Sequence, residues 1–149
     1  MRISETMTVG APIETVYGVY ADLDGWCDVL PDVVGVDVHY MDGYNQEFSM
    51  TVERPGGNET VRGVRYCRAP YELELVQTTP PPGLSRMTGL WTFTERDGRT
   101  TVTAARDFRL LDENTPAGAE EAFAEKLHGF LKINLDLFRK AAEEKGARA

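Results

Sequence analysis

Apolar positions near the N-terminus change from strand-like to helical spacing. Residues 3–9 mix apolar and polar side chains and predict a first strand. Pro12 suits the start of a helix, because the N–H that proline lacks would have no helical partner there. Four apolar side chains then recur at helical spacing, namely Ile13, Val16, Tyr17 and Tyr20. A second short helix is predicted over "DGWCDVL", which Pro31 ends.

From Val33 onward the pattern changes to short runs bounded by turn residues. These runs predict six strands, over 33–40, 44–54, 60–69, 71–78, 86–95 and 100–110. Their short connections favour antiparallel neighbours. Residues 116–145 return to helical spacing and predict one long amphipathic helix. Its buried stripe is predicted to contain Phe123, Leu127, Leu131, Asn134, Phe138 and Ala141.

The order of the predicted elements indicates an α+β fold. One strand, two short helices, six strands and a long helix make an antiparallel sheet of about seven strands, and only the long helix is available to cover its apolar face. A chain of 149 residues is long enough for one core and short for two. We therefore expect a single domain over residues 1–149.

Charge is unevenly distributed along the chain. The net charge of −8 argues against a nucleic-acid partner. Residues 50–110 nevertheless hold nine arginines and seven carboxylates, so the predicted sheet is locally basic while the rest of the chain carries −10. This segment has two interpretations, a sheet with solvated strand faces of alternating charge or a basic rim for an acidic partner or an anionic ligand.

Cysteine usage and the missing motifs exclude several classes of function. Cys27 and Cys67 lack CxxC spacing and the N-terminus lacks the apolar run of a signal peptide, so we expect a cytoplasmic location. No window approaches 18 apolar residues, so no membrane span is expected. Neither His39 nor His128 belongs to a metal-ligand cluster, and the chain has no Gly-rich phosphate loop and no GxSxG. We expect no metal and no cofactor.

The stretch "ETVRGVRYCRAPYELELVQ" carries three arginines within a predicted strand. Successive side chains of a strand point to opposite faces, so Arg62, Val64, Tyr66 and Arg68 share one face and Arg65 lies on the other. The next strand has apolar residues on its odd positions and carboxylates on its even ones, which predicts a half-buried strand. If the two strands form a hairpin, one arginine faces the interior, where it needs partners or a ligand.

Four segments of the chain resemble a known family. They are "GAPIETVYGVYADLDGWCDVLPDV", "RPGGNETVRGVRYCRAP", "MTGLWTFTERDGRTTVTAARDF" and "KLHGFLKINLDLFRKAAEEK". Together they are similar to the polyketide aromatase/cyclase branch of the START and birch-pollen-allergen-like (SRPBCC) superfamily. The resemblance covers nearly the whole chain. It implies the helix-grip fold, a curved sheet wrapped around the C-terminal helix with an internal cavity between them.

The resemblance also implies site residues. It places Arg68 on the family's cavity arginine and Asn134 on its cavity asparagine; both are predicted to be catalytic, with Tyr66 as a proton relay. Guanidinium keeps its proton, so it suits a fixed donor to a ketone or enolate oxygen. Arg68 has the alternative interpretation of a surface or ion-paired arginine, Asn134 that of a satisfied core amide and Tyr66 that of a packing residue. Each predicted lining residue has the alternative of plain core. The predicted substrate-binding residues are Trp26, Phe48, Met50, Val64, Met87, Trp91, Phe93, Arg106, Phe108 and Leu131.

Arg106 departs from the family pattern, which more often has a neutral polar residue there. Alternation places it on one strand face with Val102, Ala104 and Phe108. An unpaired buried guanidinium is costly. We therefore expect Arg106 either beside a carboxylate or at the mouth of the cavity.

The function implied is that of an aromatase/cyclase in aromatic polyketide and antibiotic biosynthesis. It would direct aldol cyclisation and dehydration of a poly-β-ketone carried on an acyl carrier protein, without a cofactor. Carrier proteins are usually acidic, which gives the arginine-rich segment a possible docking role. The alternative is a non-catalytic protein that binds or transports a hydrophobic ligand such as a lipid, quinone or polyketide. The sequence leaves open whether the chain acts as a monomer or a homodimer.

Overall fold

A computed structural model describes residues 1–111 and 116–148. It contains one seven-stranded sheet and three helices. The strands are β1 (Arg2–Val9), β2 (Val33–Met41), β3 (Asn45–Val52), β4 (Glu59–Arg68), β5 (Glu72–Thr79), β6 (Leu84–Arg96) and β7 (Arg99–Leu110). The helices are α1 (Ile13–Ala21), α2 (Trp26–Val29) and α3 (Ala119–Ala147), and a 3-10 turn (Leu23–Gly25) links α1 to α2.

The sheet is antiparallel throughout, in the order β1-β7-β6-β5-β4-β3-β2. Consecutive strands from β2 to β7 are neighbours, because each connection is a short turn. β1 pairs with β7 and so joins the first and last strands at one side of the sheet. The predicted α+β helix-grip fold, with two short helices after the first strand and a long C-terminal helix, is confirmed.

The long helix α3 covers the concave face of the sheet with one apolar stripe. Its buried residues are Ala124, Leu127, Leu131, Leu135, Phe138 and Ala142. The helix begins at Ala119, after Gly118, whose left-handed φ of 88° suits a residue without a Cβ. The amphipathic period therefore predicted the helix and the centre of its buried face, namely Leu127, Leu131 and Phe138, whereas Phe123, Asn134 and Ala141 are half-buried at the edge of that face.

Helix α1 is fixed to the sheet by hydrogen bonds at its N-terminal end. The backbone N–H of Ile13 donates to Glu95 Oε1 at 2.9 Å. The buried hydroxyl of Thr100 donates to the carbonyl of Ala11 at 2.8 Å. These contacts tie the start of α1 to β6 and β7, and so place the aromatic residues of α1 over the interior.

Aromatic side chains occupy the space between the helices and the sheet. Tyr20 of α1 stacks on Phe138 of α3 with ring centroids 4.1 Å apart. Phe108 of β7 contacts Phe123 of α3 at 4.8 Å. At these residues the rings pack against one another between α3 and the sheet, and the expected internal cavity stays a prediction. A pocket of about 340 Å³ lies beside α1.

Replacing Thr100 by Val should lower the free energy of unfolding by about 1–3 kcal/mol, because the buried carbonyl of Ala11 loses its donor while the side-chain shape is kept. Chemical denaturation followed by circular dichroism measures this. Thr101→Val is the matched control on the outer face of the same strand, where the change should stay within about 0.5 kcal/mol. Equal losses in the two variants would contradict the anchoring role.

Candidate active site

Strand β4 presents Arg65, not Arg68, to the interior. Arg65 pairs with Leu75 of β5 and Cys67 pairs with Leu73, and all four side chains are buried on the concave face. The residues between them point outward. The prediction that Val64, Tyr66 and Arg68 face the interior is therefore wrong. The alternation itself was right, but the face was assigned from the family resemblance.

Arg68 forms an ion-pair cluster on the outer face of the sheet. Its Nε donates to Glu72 at 2.9 Å and its Nη2 donates to Glu74 at 2.9 Å. About half of its side chain is exposed (51%), and hydrogen bonds to the two carboxylates raise its pKa. Tyr66 lies on the same outer face and is 40% exposed. Neither side chain reaches the interior, so neither can contact a ligand on the concave side.

Arg65 is fully buried and held by neutral groups. Its Nε donates to Gln46 Oε1 at 2.9 Å, and its Nη2 donates to the carbonyl of Ala21 at 3.1 Å. The guanidinium lies over the rings of Trp26 and Trp91, 5.0 Å and 5.7 Å from their centroids. Its Nη1 is buried and has no hydrogen-bond partner. Burial lowers the pKa of Arg65 to about 10, so it keeps its charge at neutral pH.

Arg106 is a second buried guanidinium, on the inner face of β7. Its Nη1 donates to the carbonyl of Ala105 at 2.8 Å, and its Cζ lies 4.6 Å from the centroid of Trp91. Gly89 on β6 makes room for it, since a Cβ there would lie 2.8 Å from Nη1. Burial lowers its pKa to about 10. The expected carboxylate neighbour is not found among residues 1–111 and 116–148; a backbone carbonyl and an indole ring stand in its place.

Trp91 is the centre of this polar group. Both guanidiniums lie near its ring, and the ring of Tyr20 is 6.1 Å away. The Tyr20 hydroxyl is buried without a partner, and burial raises its pKa, so it stays protonated. Two cations and a phenol thus converge on one indole, an arrangement suited to an electron-rich oxygen of a ligand.

Most of the other predicted lining residues lie on the concave side. The structure buries Trp26, Phe48, Met87, Trp91, Phe93, Arg106, Phe108 and Leu131. Met50 is half-buried, as is Asn134 at the edge of the α3 stripe. Their burial fits both a binding role and plain core. Substrate binding by these residues stays a prediction.

Sequence reasoning missed three polar residues of this region: Arg65, Tyr20 and Gln46. A signal for Arg65 was present, because cross-strand partners share a face and the leucines of β5 mark the buried one. For Tyr20 and Gln46 the sequence carries no comparable sign. Tyr20 looks like any apolar-face residue of a helix, and Gln46 like any polar strand residue.

The pocket beside α1 reaches the partners of Arg65. Its walls include Tyr17, Ala21, Leu23, Val38, Gln46 and Cys67. The Tyr17 hydroxyl donates to the carbonyl of Glu72 at 3.2 Å. Burial raises the pKa of both Tyr17 and Cys67, so both are protonated at neutral pH. The pocket therefore ends at neutral groups directly in front of the buried guanidinium.

A second pocket lies outside this region, and the described residues offer no metal site. A pocket of about 210 Å³ lies on the outer face beside Arg68, where the ion pairs already neutralise its walls. Residues 1–111 and 116–148 contain no group of three His, Cys, Asp or Glu side chains that could hold a metal ion. None of the described helices is long and apolar enough to cross a membrane.

The curved sheet closed by one long helix defines the helix-grip class, and the sequence assigns the family within it. The profile of the family described as "Polyketide cyclase / dehydrase and lipid transport" matches residues 1–143. The chain belongs to this family. No curated protein matches the sequence.

Solved structures of aromatase/cyclases share the fold. The di-domain aromatase/cyclase StfQ of the steffimycin pathway superposes with a TM-score of 0.86 at 22% identity, and BexL of the BE-7585A pathway with 0.82 at 26%. Each match covers 98% of this chain but only about half of the di-domain protein (52% and 50%). The aromatase/cyclase Zhui from Streptomyces sp. R1128 gives 0.80 at 22% identity, over 99% of this chain and 94% of that one.

The opposite placement of Arg65 and Arg68 can be tested by fluorescence. The chain has only two tryptophans, and Arg65 lies over both of them. Arg65→Met should change the emission spectrum, because a charge beside each indole is removed. Arg68→Met is the matched control and should leave the spectrum unchanged, with a stability change of at most about 1 kcal/mol. The reverse pattern would show that Arg68 is the interior arginine.

Proposed function

We propose that the chain is an aromatase/cyclase that binds a poly-β-ketone on the concave side of the sheet. The observation that carries this proposal is the set of buried polar atoms without a partner: Arg65 Nη1, Tyr20 OH and Gln77 Oε1. Each such atom costs roughly 1–3 kcal/mol. Native proteins rarely keep them without a reason, and a ligand rich in oxygen would satisfy all three.

The chemistry of the three groups fits a chain of alternating carbonyls. Arg65 offers a donor, Tyr20 offers a donor or an acceptor, and Gln77 offers an acceptor for an enol hydroxyl. Gln77 lies on the inner face of β5, where it pairs with Gly63 of β4. The indoles near Arg65 suit a flat, partly cyclised product. We also assign Asn134 of α3 as a further polar contact, because it interrupts the apolar stripe of that helix.

Cyclisation at this site needs a polarised carbonyl and an enolate. A methylene between two carbonyls loses a proton, and the resulting carbanion carbon forms a bond to a second carbonyl carbon. The electron pair of that carbonyl moves to its oxygen, where Arg65 stabilises the alkoxide and Tyr20 hydrogen-bonds it until it is protonated. Loss of a neighbouring proton and of the hydroxyl as water then forms the ring double bond.

The proton acceptor in this proposal is water or an oxygen of the substrate. No His and no carboxylate among the described residues hydrogen-bonds Arg65 or Tyr20. The protein's contribution is therefore positioning and electrostatic stabilisation, which selects the carbons that meet. No cofactor enters these steps.

An acyl carrier protein is the proposed source of the substrate, but three of the outer arginines already have carboxylate partners. Arg62 pairs with Glu47 at 2.8 Å and Arg86 pairs with Asp107 at 2.9 Å, as Arg68 does with its two glutamates. Docking of an acidic carrier on this face would have to compete with these pairs. We therefore place no carrier contact at these three arginines.

A non-catalytic binding protein is the second candidate. The family description itself includes lipid transport, and no His or carboxylate among the described residues hydrogen-bonds Arg65. Such a protein would bind a polyketide or lipid without changing the ratio of its cyclised and shunt products. Product analysis therefore separates the two candidates.

Arg65→Met should lower the yield of correctly cyclised product by roughly 100-fold or more, the scale of losing one oxyanion donor. Arg65→Lys should restore only part of it, because a point charge cannot replace a planar guanidinium. The assay supplies a carrier-bound or surrogate poly-β-ketone and resolves cyclised from shunt products. Thermal melts show whether each variant is folded.

Arg68→Met is the matched control for this experiment. It removes the same group from the outer face, so the product ratio should equal that of the wild type. Loss of product in Arg68→Met with none in Arg65→Met would overturn the assignment of the interior arginine. An unchanged ratio in a folded Arg65→Met protein would favour the binding protein.

Tyr20→Phe should separate function from stability. Removing a buried hydroxyl that has no partner should leave the free energy of unfolding unchanged or raise it by about 1 kcal/mol. The same change should weaken product formation, because the alkoxide loses a donor. Denaturation and product analysis on one preparation measure both. A clear loss of stability would mean that the hydroxyl has a structural partner.

A further inference from the structure

The pocket beside α1 is the described opening that leads towards Arg65. It lies between α1, the 3-10 turn and the ends of β2, β3 and β4, and its volume is about 340 Å³. Ligand sites usually have volumes of a few hundred Å³. Met41 lies on its outer rim and is 57% exposed, whereas Gln46 at its inner end is 4% exposed. The pocket thus runs from solvent to the group that holds the guanidinium.

Gln46 separates the pocket from Arg65. Its Oε1 accepts the Nε–H of Arg65 at 2.9 Å, and its Nε2 donates to the carbonyl of Ala21 at 2.8 Å. Arg65 itself donates to the same carbonyl. These bonds join β3, β4 and α1 by one amide. Rotation of that side chain would break one hydrogen bond from the charged guanidinium and one to a backbone carbonyl, and an incoming carbonyl oxygen could replace the acceptor on Arg65.

The walls of the pocket carry no positive charge. Asp22 and Asp24 are the only carboxylates among the described residues that line it, and none of those residues is Lys, Arg or His. The remaining walls are mainly apolar, including Leu23, Val38 and Met41. An anion would meet like charge and no counter-ion at this opening. The positive charge lies behind Gln46, where only a ligand already inside can use it.

We propose that this pocket is the entry port of the site and that the Gln46 side chain blocks its inner end until it rotates away. The port admits an uncharged, oxygen-bearing chain. The proposal rests on the proposed function in that Arg65 is the ligand's target. The ligand enters neutral, its carbonyl displaces the Gln46 amide from Arg65, and negative charge develops only next to the guanidinium. A free carboxylate of similar shape is excluded at the opening.

Two naphthalene probes of matched size test the port, and tryptophan fluorescence reports their arrival. 2-Naphthol is neutral at pH 7 and 2-naphthoate is an anion. Both tryptophans of the chain lie beside Arg65, so stopped-flow quenching follows entry into the site. In the wild type, 2-naphthol should associate at least ten times faster than 2-naphthoate. Equal or faster association of 2-naphthoate would overturn the selection of neutral ligands.

Two glycine-to-leucine substitutions test whether ligands enter through the pocket beside α1. Gly18 lies in α1 and lines the pocket, and Gly129 lies in α3 away from it. A Cβ at either position meets nothing within 4 Å, so Gly18→Leu and Gly129→Leu should both fold. Gly18→Leu should slow association of 2-naphthol at least tenfold relative to Gly129→Leu. Equal rates in two folded variants would place the entrance elsewhere.

Gln46→Glu tests whether residue 46 blocks the inner end of the port, because the two side chains have nearly equal shape. A carboxylate at this position would form an ion pair with Arg65 and would keep the inner end of the port blocked. Binding of 2-naphthol should fall at least tenfold while the thermal melt shows a folded protein. Unchanged binding would overturn the role of Gln46.

Different results would contradict the proposed function and the proposed entry port. If the wild type binds neither probe and cyclises no poly-β-ketone, the proposed function is wrong. If the wild type cyclises its substrate but Gly18→Leu and Gly129→Leu do so at the same rate, only the port is wrong.

Discussion

Burial of the Arg65 guanidinium without a carboxylate constrains the concave side of this sheet. Moving a charge out of water is costly, so each compensating contact has to be in place. The acceptors come from Gln46 on β3 and from the C-terminal residue of α1, Ala21. Two indole faces, from α2 and β6, complete the surroundings. Four elements around β4 must therefore be positioned together for one side chain to be tolerated.

The same region keeps polar groups that the fold does not satisfy. Arg106 adds a second cation near Trp91, and the Tyr20 hydroxyl is buried without a partner. Apolar residues at these positions would avoid the cost of burying them. Unmatched donors that converge on one ring are the expected form of a site that binds oxygen, since the ligand supplies the missing acceptors. On this interpretation, the unpaired polar groups lower the free energy of unfolding, and they are kept because they bind the ligand.

Fold likeness and site chemistry contribute separate parts of the conclusion. Superposition on aromatase/cyclases at 22–26% identity establishes the helix-grip fold, and one fold serves many functions. The family assignment covers both cyclases and lipid transport. What favours cyclisation here is local: a fixed cation, a protonated phenol and aromatic walls on the concave side. The proposed port in front of Gln46 adds a route by which an uncharged chain would reach them.

Much of the architecture followed from the sequence, because periodicity is a local property. The alternation in β2 to β7 and the helical period of α3 predicted the elements to within a few residues. Alternation also showed that Arg65 and Arg68 lie on opposite faces of β4. It did not show which face is buried, because that depends on pairing with β5. The register Arg65↔Leu75 and Arg68↔Glu72 decided it, since leucines and glutamates mark opposite faces.

The site itself was decided only in three dimensions. Gln46, Arg65 and Tyr20 come from different elements, and no spacing along the chain joins them. The sequence also suggested a cavity under α3, whereas the aromatic residues of α1 pack there and the pocket opens beside that helix. Whether a polar atom is satisfied depends on neighbours distant in sequence. The chain thus determined which residues form strands and helices, and the packing of those elements determined which arginine is buried and what lies next to it.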